Sequence, residues 1–385
     1  MKVQLDRDVL ADAVQWVARN LPLRPSLPIL AGLMMTAEAD HITLSGFDYE
    51  TSARVTVPAA VDEPGTALVS GRLLAEISRS LPAQPVKFEM VDQTLTVRCG
   101  AVRFALQILP VVDYPELPLM PEATGWIDSR GLADAVGQVV VAAGRDELLP
   151  VFTGVRLEFE NDRLSLLATD RYRMALKEIS WSPAARQITV SALVPGKVLA
   201  ETAKSMTQGE KVTVSLSGTA QGGLIGFSGG DESANRQITT RLLDGEFPKV
   251  RHLMNIPGDL IVRLNTAALA AAVKRVALVA ERNTALRLIV GEDTVTLEAS
   301  TGDQAHASET IDALVNVPGG GEQVLEQAGF NPHYLADVLS VIDAPYVHLA
   351  FSGPGKPCLM MALDDLLGDP KTDYRHVIML MRLPS

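Results

Sequence analysis

The chain has 385 residues, 34 Lys and Arg against 46 Asp and Glu, a formal net charge of −12 and 47% hydrophobic residues, the make-up of an ordinary globular protein of about three domains at roughly 100–150 residues each. Its two cysteines, Cys99 and Cys358, lack CxxC spacing, which excludes a disulfide framework and fits a reduced compartment. The start Met1-Lys2-Val3-Gln4-Leu5-Asp6 places charge where a signal peptide needs an apolar run, and no stretch approaches the roughly 18 apolar residues of a membrane span; the expectation is a cytoplasmic protein without membrane contact.

In chain order, Asp8, Asp12, Gln15 and Arg19 form a polar stripe opposite Leu10, Val14 and Val17, which predicts an amphipathic helix. Strand-like runs follow at 42–44 and 53–57. A second helix sets Arg72, Glu76 and Arg79 against Leu73, Leu74 and Ile77, and strands at 86–90 and 95–99 come after it. The pattern then starts again. Leu10-Ala11-Asp12-Ala13-Val14 returns as Leu132-Ala133-Asp134-Ala135-Val136 and as Leu269-Ala270-Ala271-Ala272-Val273. Val69-Ser70-Gly71-Arg72-Leu73-Leu74-Ala75-Glu76 returns as Val194-Pro195-Gly196-Lys197-Val198-Leu199-Ala200-Glu201, and more faintly as Phe330-Asn331-Pro332-His333-Tyr334-Leu335-Ala336-Asp337. Strand runs at 155–159, 164–168, 212–216 and 295–299 keep the same company. Steps this long are domain copies, since solenoid repeats run at about 20–50 residues. Turn formers gather near 118–125 and 255–258, so the expected domains are 1–122, 123–253 and 254–385, joined by short stiff connectors. The expected fold class is α+β, three tandem copies of one domain, each with two helices packed on antiparallel sheets.

An acidic chain is at first sight a poor nucleic-acid binder, because phosphate contacts are carried by Lys and Arg. The three segments carry 10 basic and 15 acidic, 15 and 15, and 9 and 16 residues, respectively. Their helix faces depart from that balance: Arg72 and Arg79 against Glu76, Lys197 and Lys204 against Glu201, and Lys274, Arg275 and Arg282 against Glu281. Such residues are either solvated helix faces or, lined up together, a mildly basic surface on an acidic body. The six histidines lack metal-ligand spacing, Gly222-Gly223-Leu224-Ile225-Gly226 lacks the Lys-Ser/Thr of a phosphate loop and reads as a hairpin turn, and no GxSxG elbow occurs. No metal, cofactor or catalytic constellation is therefore expected, and a binding or architectural protein is favoured over a nucleic-acid enzyme on a duplicated scaffold.

At Arg24-Pro25-Ser26-Leu27-Pro28-Ile29-Leu30 and Leu44-Ser45-Gly46-Phe47-Asp48-Tyr49-Glu50 the chain closely resembles the bacterial DNA polymerase III beta subunit family, the replicative sliding clamps. Phe104-Ala105-Leu106, Leu109-Pro110 and Asp113-Tyr114-Pro115 continue the likeness, as do Ala168-Thr169-Asp170-Arg171-Tyr172-Arg173, Leu243-Asp244-Gly245-Glu246-Phe247-Pro248 and the ending Met379-Leu380-Met381-Arg382-Leu383. Pro384-Ser385 and Gly144-Arg145-Asp146 look like the actinobacterial clamps in particular.

The resemblance implies a head-to-tail homodimer closing into a ring around duplex DNA, bound topologically and without sequence preference, at the replisome on the nucleoid. It implies DNA contacts at Arg24, Arg145 with the loop 145–149, and Lys197, although an Arg before Pro could equally hold its loop in place; Arg72, Arg79, Lys204, Lys274 and Arg275 join them as basic positions of the helices. It pairs Phe104 and Leu106 of one protomer with Leu278 and Val279 of the other, with packing inside one domain as the competing reading for these four. It implies a peptide pocket made by Phe152, Thr169, Arg171, Tyr172, Arg173, Met174, Pro248, His252 and Leu253, closed by Val377, Ile378, Met379, Leu380, Met381, Arg382 and Leu383. The partners implied are the polymerase III catalytic subunit, the clamp loader and other proteins with a clamp-binding motif: translesion polymerases, ligase and mismatch-repair proteins. Departures gather at this pocket: Leu380 stands for the usual proline, Phe152 for a Leu, His252 for an Arg or Gln and His376 for a Tyr. They are either drift or the mark of a second clamp remodelled to exclude a cyclic-peptide inhibitor, or specialised for repair.

Overall fold

The computed structural model describes residues 1–218, 222–231, 234–281, 284–302, 304–320 and 322–383. Arg282 and Pro384-Ser385 lie outside the described residues. The chain forms two compact units, residues 1–133 with 181–244 and residues 134–180 with 245–385. Seven α-helices occur among the described residues: α1 (Arg7–Arg19), α2 (Gly71–Ser80), α3 (Ser129–Val140), α4 (Pro150–Thr153), α5 (Gly196–Ser205), α6 (Thr266–Val276) and α7 (Pro332–Leu339). None is long and apolar enough to cross a membrane.

Helix α1 starts where Asp6 Oδ1 accepts hydrogen bonds from the backbone N–H of Asp8 (2.8 Å) and Val9 (3.2 Å), satisfying two of the donors a helix start leaves open. It buries Leu10, Ala13, Val14, Trp16 and Val17. Helices α6 and α7 are capped in the same way by Asn265 and Asn331. Helix α2 instead begins at Gly71, where a Cβ would lie 2.2 Å from Leu21 Cδ1; the glycine of the second repeat motif is there for close packing. Leu73, expected on the apolar face of α2, is 46% exposed. The buried face is made by Gly71, Leu74, Ala75, Ile77 and Ser78, so small residues take the place beside Leu74 and Ile77 that Leu73 was expected to fill.

The first unit holds two antiparallel sheets. One runs in the order Ala60–Glu63, Lys2–Leu5, Val86–Val91, Thr94–Cys99, Val102–Gln107, so the last of these strands is an edge. The other has nine strands and passes from the first repeat into the second through the pairing of Thr51–Pro58 with Asn235–Arg241. Ser52 Oγ lies 2.6 Å from Thr239 Oγ1 across this seam. The glycine-rich stretch around 222–230 is the hairpin of Lys211–Ser217 and Leu224–Gly230, as read from the sequence. In this unit Asp12 of the α1 polar stripe pairs with Arg236 at 2.5 Å while staying exposed, and the half-buried Gln15 donates from Nε2 to Ala75 O at 2.7 Å.

Two of the sequence motifs turn out to be one device. The Tyr114 hydroxyl accepts the Phe47 N–H at 2.7 Å inside a cluster of Phe47, Leu68 and Tyr114, and burial pushes its pKa up to about 12. Asp48 Oδ1 meanwhile accepts from Glu50 N and Thr51 N. These residues are structural, holding the end of the segment against the strand His41–Phe47.

In the second unit an antiparallel sheet runs Gly154–Glu160, Arg163–Thr169, Arg173–Ser180, Tyr374–Ile378, Cys358–Leu363, Tyr346–Phe351, Leu260–Asn265, Leu314–Asn316. A four-stranded sheet runs Ala305–Asp312, Thr294–Thr301, Leu286–Val290, Gln327–Phe330. The strand Arg173–Ser180 pairs with Tyr374–Ile378, which brings the loop before it beside the chain's end.

Candidate peptide groove and nucleic-acid-facing residues

The loop 169–173 is wound by its own side chains. Thr169 Oγ1 accepts from Arg171 N at 3.1 Å and donates to Arg173 O at 2.8 Å, while Asp170 Oδ1 accepts from Tyr172 N and Arg173 N, both at 3.0 Å. This winding holds Arg171 at φ 81°, a left-handed conformation costly for any residue with a Cβ. It turns Tyr172 outward, 55% exposed. Arg173 points inward: Nε donates to Asp170 Oδ2 (3.0 Å), Nη1 to Asp337 Oδ2 (2.7 Å), and the guanidinium sits 4.3 Å from the centre of the Tyr334 ring. Arg173 is thus fully engaged and acts as a post for the loop.

A cleft of about 640 Å³ opens beside this loop, lined by residues 143–146, Leu149, Phe152, the loop itself and His333, Tyr334 and Asp337 of α7. Of the expected pocket residues, Phe152, Arg171, Tyr172 and Arg173 line it. Met174, Val377 and Ile378 are buried and form the packing behind the groove instead of its surface. Pro248 is half-buried, while His252 and Leu253 stand exposed on the short turn Arg251–Met254. That turn is fastened by Arg251, whose guanidinium donates to Glu158 Oε2 at 2.8 Å and Glu178 Oε1 at 3.1 Å. Met379 N donates to Tyr172 O and Met381 N to Gly329 O, each at 2.8 Å. Among the described residues Leu380 between them donates no backbone hydrogen bond, and with Met381, Arg382 and Leu383 it lines a second hollow of about 540 Å³ along Gln327–Gly329.

His376 departs from the expectation that it shapes the pocket wall. It is fully buried, its Nδ1 2.9 Å from the Tyr374 hydroxyl, which also donates to Gln138 O at 3.2 Å. Burial, aided by the charge of Arg173, holds its pKa down to about 3. The contributions of α7 were missed from sequence. A signal existed, since Asp337 occupies the place of Glu76 and Glu201 in the faint third copy of the second motif.

Among the basic positions, Arg24, Arg79, Arg145, Lys197, Lys204 and Lys274 are exposed. Arg72 is exposed too, but its Nη2 donates to Leu23 O at 2.8 Å. It therefore carries the loop-holding task that Arg24 could have had. Arg275 is neutralised by an ion pair with Glu309, which removes it from the free cations. Helix α6 stops at Val276, so Glu281 does not belong to its face. Leu278 is 83% exposed and Val279 half-buried on the turn after α6. Phe104 is half-buried, whereas Leu106, two residues on and so on the same face of the strand, is buried within its own domain at 2% exposure. Two features beyond these residues matter here: Val102–Gln107 and Ala305–Asp312 are both edge strands, each leaving a row of backbone donors and acceptors unpaired within its sheet.

Amphipathic helices lie on antiparallel sheets, with exposed cations at equivalent helix positions and a groove beside the wound loop, an arrangement compatible with the sliding-clamp resemblance. Residues 1–118, 126–249 and 256–382 match the N-terminal, central and C-terminal domains of the DNA polymerase III beta subunit. The chain is 48% identical over 384 residues to the beta sliding clamp of Streptomyces coelicolor, with 100% of both chains covered. It is 38% identical to the beta sliding clamp homolog GriR of Streptomyces muensis, with 99% of each covered. Among solved structures, a DnaN sliding clamp from Pseudomonas aeruginosa bound to griselimycin superposes with a TM-score of 0.87 at 26% identity, covering 100% of both chains. The chain belongs to the DNA polymerase III beta subunit family, the beta sliding clamps, and is of the actinobacterial type.

Proposed function

We propose that two copies of this chain close head to tail into a ring around duplex DNA and tether the polymerase III catalytic subunit, the clamp loader and other carriers of a clamp-binding peptide, without catalysing a reaction. The observation that carries this reading, beside the family, is the repetition of exposed cations. Arg72 and Lys197, like Arg79 and Lys204, occupy the same places in two copies of one helix, and all four are exposed. Scattered cations on an acidic body suit sliding, because screened, sequence-independent contacts hold the duplex without fixing it. The two unpaired strand edges suit a heterologous contact that closes after two subunits. Loading by a clamp loader onto nicked circular DNA, followed by linearisation, tests it; retention on circles and loss from linear ends is the expected result. In the same assay Arg24→Ala is expected to lower loading, by a margin that shrinks as salt rises, and to leave binding of a polymerase tail peptide unchanged. Equal damage to peptide binding would move Arg24 to a structural role.

A second reading, a clamp whose groove excludes a cyclic-peptide ligand, is favoured by the wall itself. Leu380, where the family resemblance implies a proline, lines the second hollow, Phe152 lines the cleft and packs under Arg171 with its ring centre 5.6 Å from the guanidinium, and the chain is similar to GriR. A rigid ring cannot readjust to a changed wall, whereas a linear peptide can. Leu380→Pro is expected to tighten a cyclic inhibitor by about 1–3 kcal/mol, the scale of a local packing misfit, and to alter linear-peptide affinity less. Parallel shifts of both ligands in a titration would mean drift.

A further inference from the structure

We infer that Arg171 recognises an acidic side chain of the linear peptide that the groove takes, an inference that rests on the peptide-binding reading above. Three arginines line the cleft of about 640 Å³, and they are not alike. Arg173 is spent on two carboxylates and a tyrosine ring. Arg145 and Arg171 are exposed and form no ion pair among the described residues. The Arg171 guanidinium lies 5.6 Å from the centre of the Phe152 ring and 5.8 Å from that of Tyr172. Ring faces orient a planar cation while leaving its N–H donors free along the edge, the arrangement needed to accept a carboxylate in a two-pronged hydrogen bond. The side chain is maintained at a backbone position, φ 81°, that glycine would occupy at less cost. Its place is also right. The neighbouring Tyr172 carbonyl accepts the Met379 N–H at 2.8 Å, so Arg171 stands one residue from the point where the cleft loop meets the segment that follows the last strand.

The charge of the cleft selects the occupant. Arg145, Arg171 and Arg173 are matched by Asp146, Asp170 and Asp337, which leaves the cleft neutral overall. Such a surface repels the dense charge of a nucleic-acid backbone about as much as it attracts it, yet it accepts one carboxylate at the single oriented, unpaired guanidinium. In a partly enclosed site that contact is worth more than on open surface.

The test uses the full chain and two fluorescent linear peptides, both C-terminally amidated, that differ only in Asp or Asn beside the apolar anchors. Wild type is expected to bind the Asp peptide about tenfold tighter at low salt, with the preference shrinking at high salt. Arg171→Gln and Arg171→Gly should each bring the two peptides within about twofold of one another. Arg171→Gly should melt no lower than wild type, because glycine accepts the backbone angle. A preference that survives both variants overturns the inference and leaves peptide binding standing, whereas failure of both peptides to bind wild type overturns the groove reading itself. Weaker DNA loading by Arg171→Gln with the peptide preference intact would assign the side chain to phosphate and likewise overturn the inference.

Discussion

Changing Leu278 to Asp together with Val279 to Ser is expected to convert a dimer of this chain into monomers. Leu278 is 83% exposed on the turn after α6, and an apolar residue so placed gains about 1.5–3 kcal/mol when a partner covers it. A buried aspartate would oppose the contact further, since an unpaired charge in an interface costs more than the lost burial. Val279 is half-buried, and its carbonyl accepts a hydrogen bond from the Thr301 hydroxyl. The Ser substitution keeps that backbone contact, and Leu278→Asp alone serves as the control that leaves the domain core intact. Sedimentation should show the monomer for the double variant and an unchanged melting profile for the single one. An unaltered dimer in both would place the interface elsewhere, and the edge strands Val102–Gln107 and Ala305–Asp312 would then be the next surfaces to change.

Acid is expected to destabilise the fold well before the carboxylates titrate. His376 is fully buried, with burial first and the Arg173 charge second holding its pKa down to about 3; His348 is held down to about 4 by burial and by Arg263. Both pKa values lie below the roughly 6.5 of an unfolded histidine. Above pH 6.5 neither state is protonated and the stability is whole; as pH falls, the unfolded chain takes up protons that the folded one refuses, and stability is lost toward pH 4 and 3. Each histidine accounts for about 2 kcal/mol between pH 7 and pH 5, so the pair for about 4 kcal/mol. Chemical denaturation at both values checks this. His376→Phe should roughly halve the pH dependence, because Tyr374 keeps its bond to Gln138 O. A flat profile for wild type between pH 7 and pH 5 would mean that water or local opening reaches these rings.

The helices and most strands could be read from the sequence because their signals are local. Polar stripes at α1, α2 and α5 and alternating strands near 53–57 and 95–99 all lie where the structure has them. What could not be read depends on distance along the chain. The Asp12–Arg236 pair, the Thr51–Pro58 to Asn235–Arg241 seam and the meeting of Arg173 with Asp337 join residues far apart in sequence, and no local period announces them. Leu73 was misplaced for a different reason. Apolar type alone cannot say which of two faces is covered, and the covered face is set by neighbouring elements. The groove was legible only by likeness to a family, as its members come from residues 143–149, α4, a wound loop and α7.

The missing backbone hydrogen bond at Leu380 also bears on how this wall can change over generations. Leucine and proline codons differ by a single base in four of the six leucine codons. With Met379 and Met381 supplying the backbone donors on either side, exchange at this position leaves the hydrogen bonds of the chain's end in place. One mutational step can therefore alter which ligands fit while the strand, the sheet behind it and the bond to Tyr172 persist. A lineage could cross between the two wall types in either direction without passing through an unfolded intermediate.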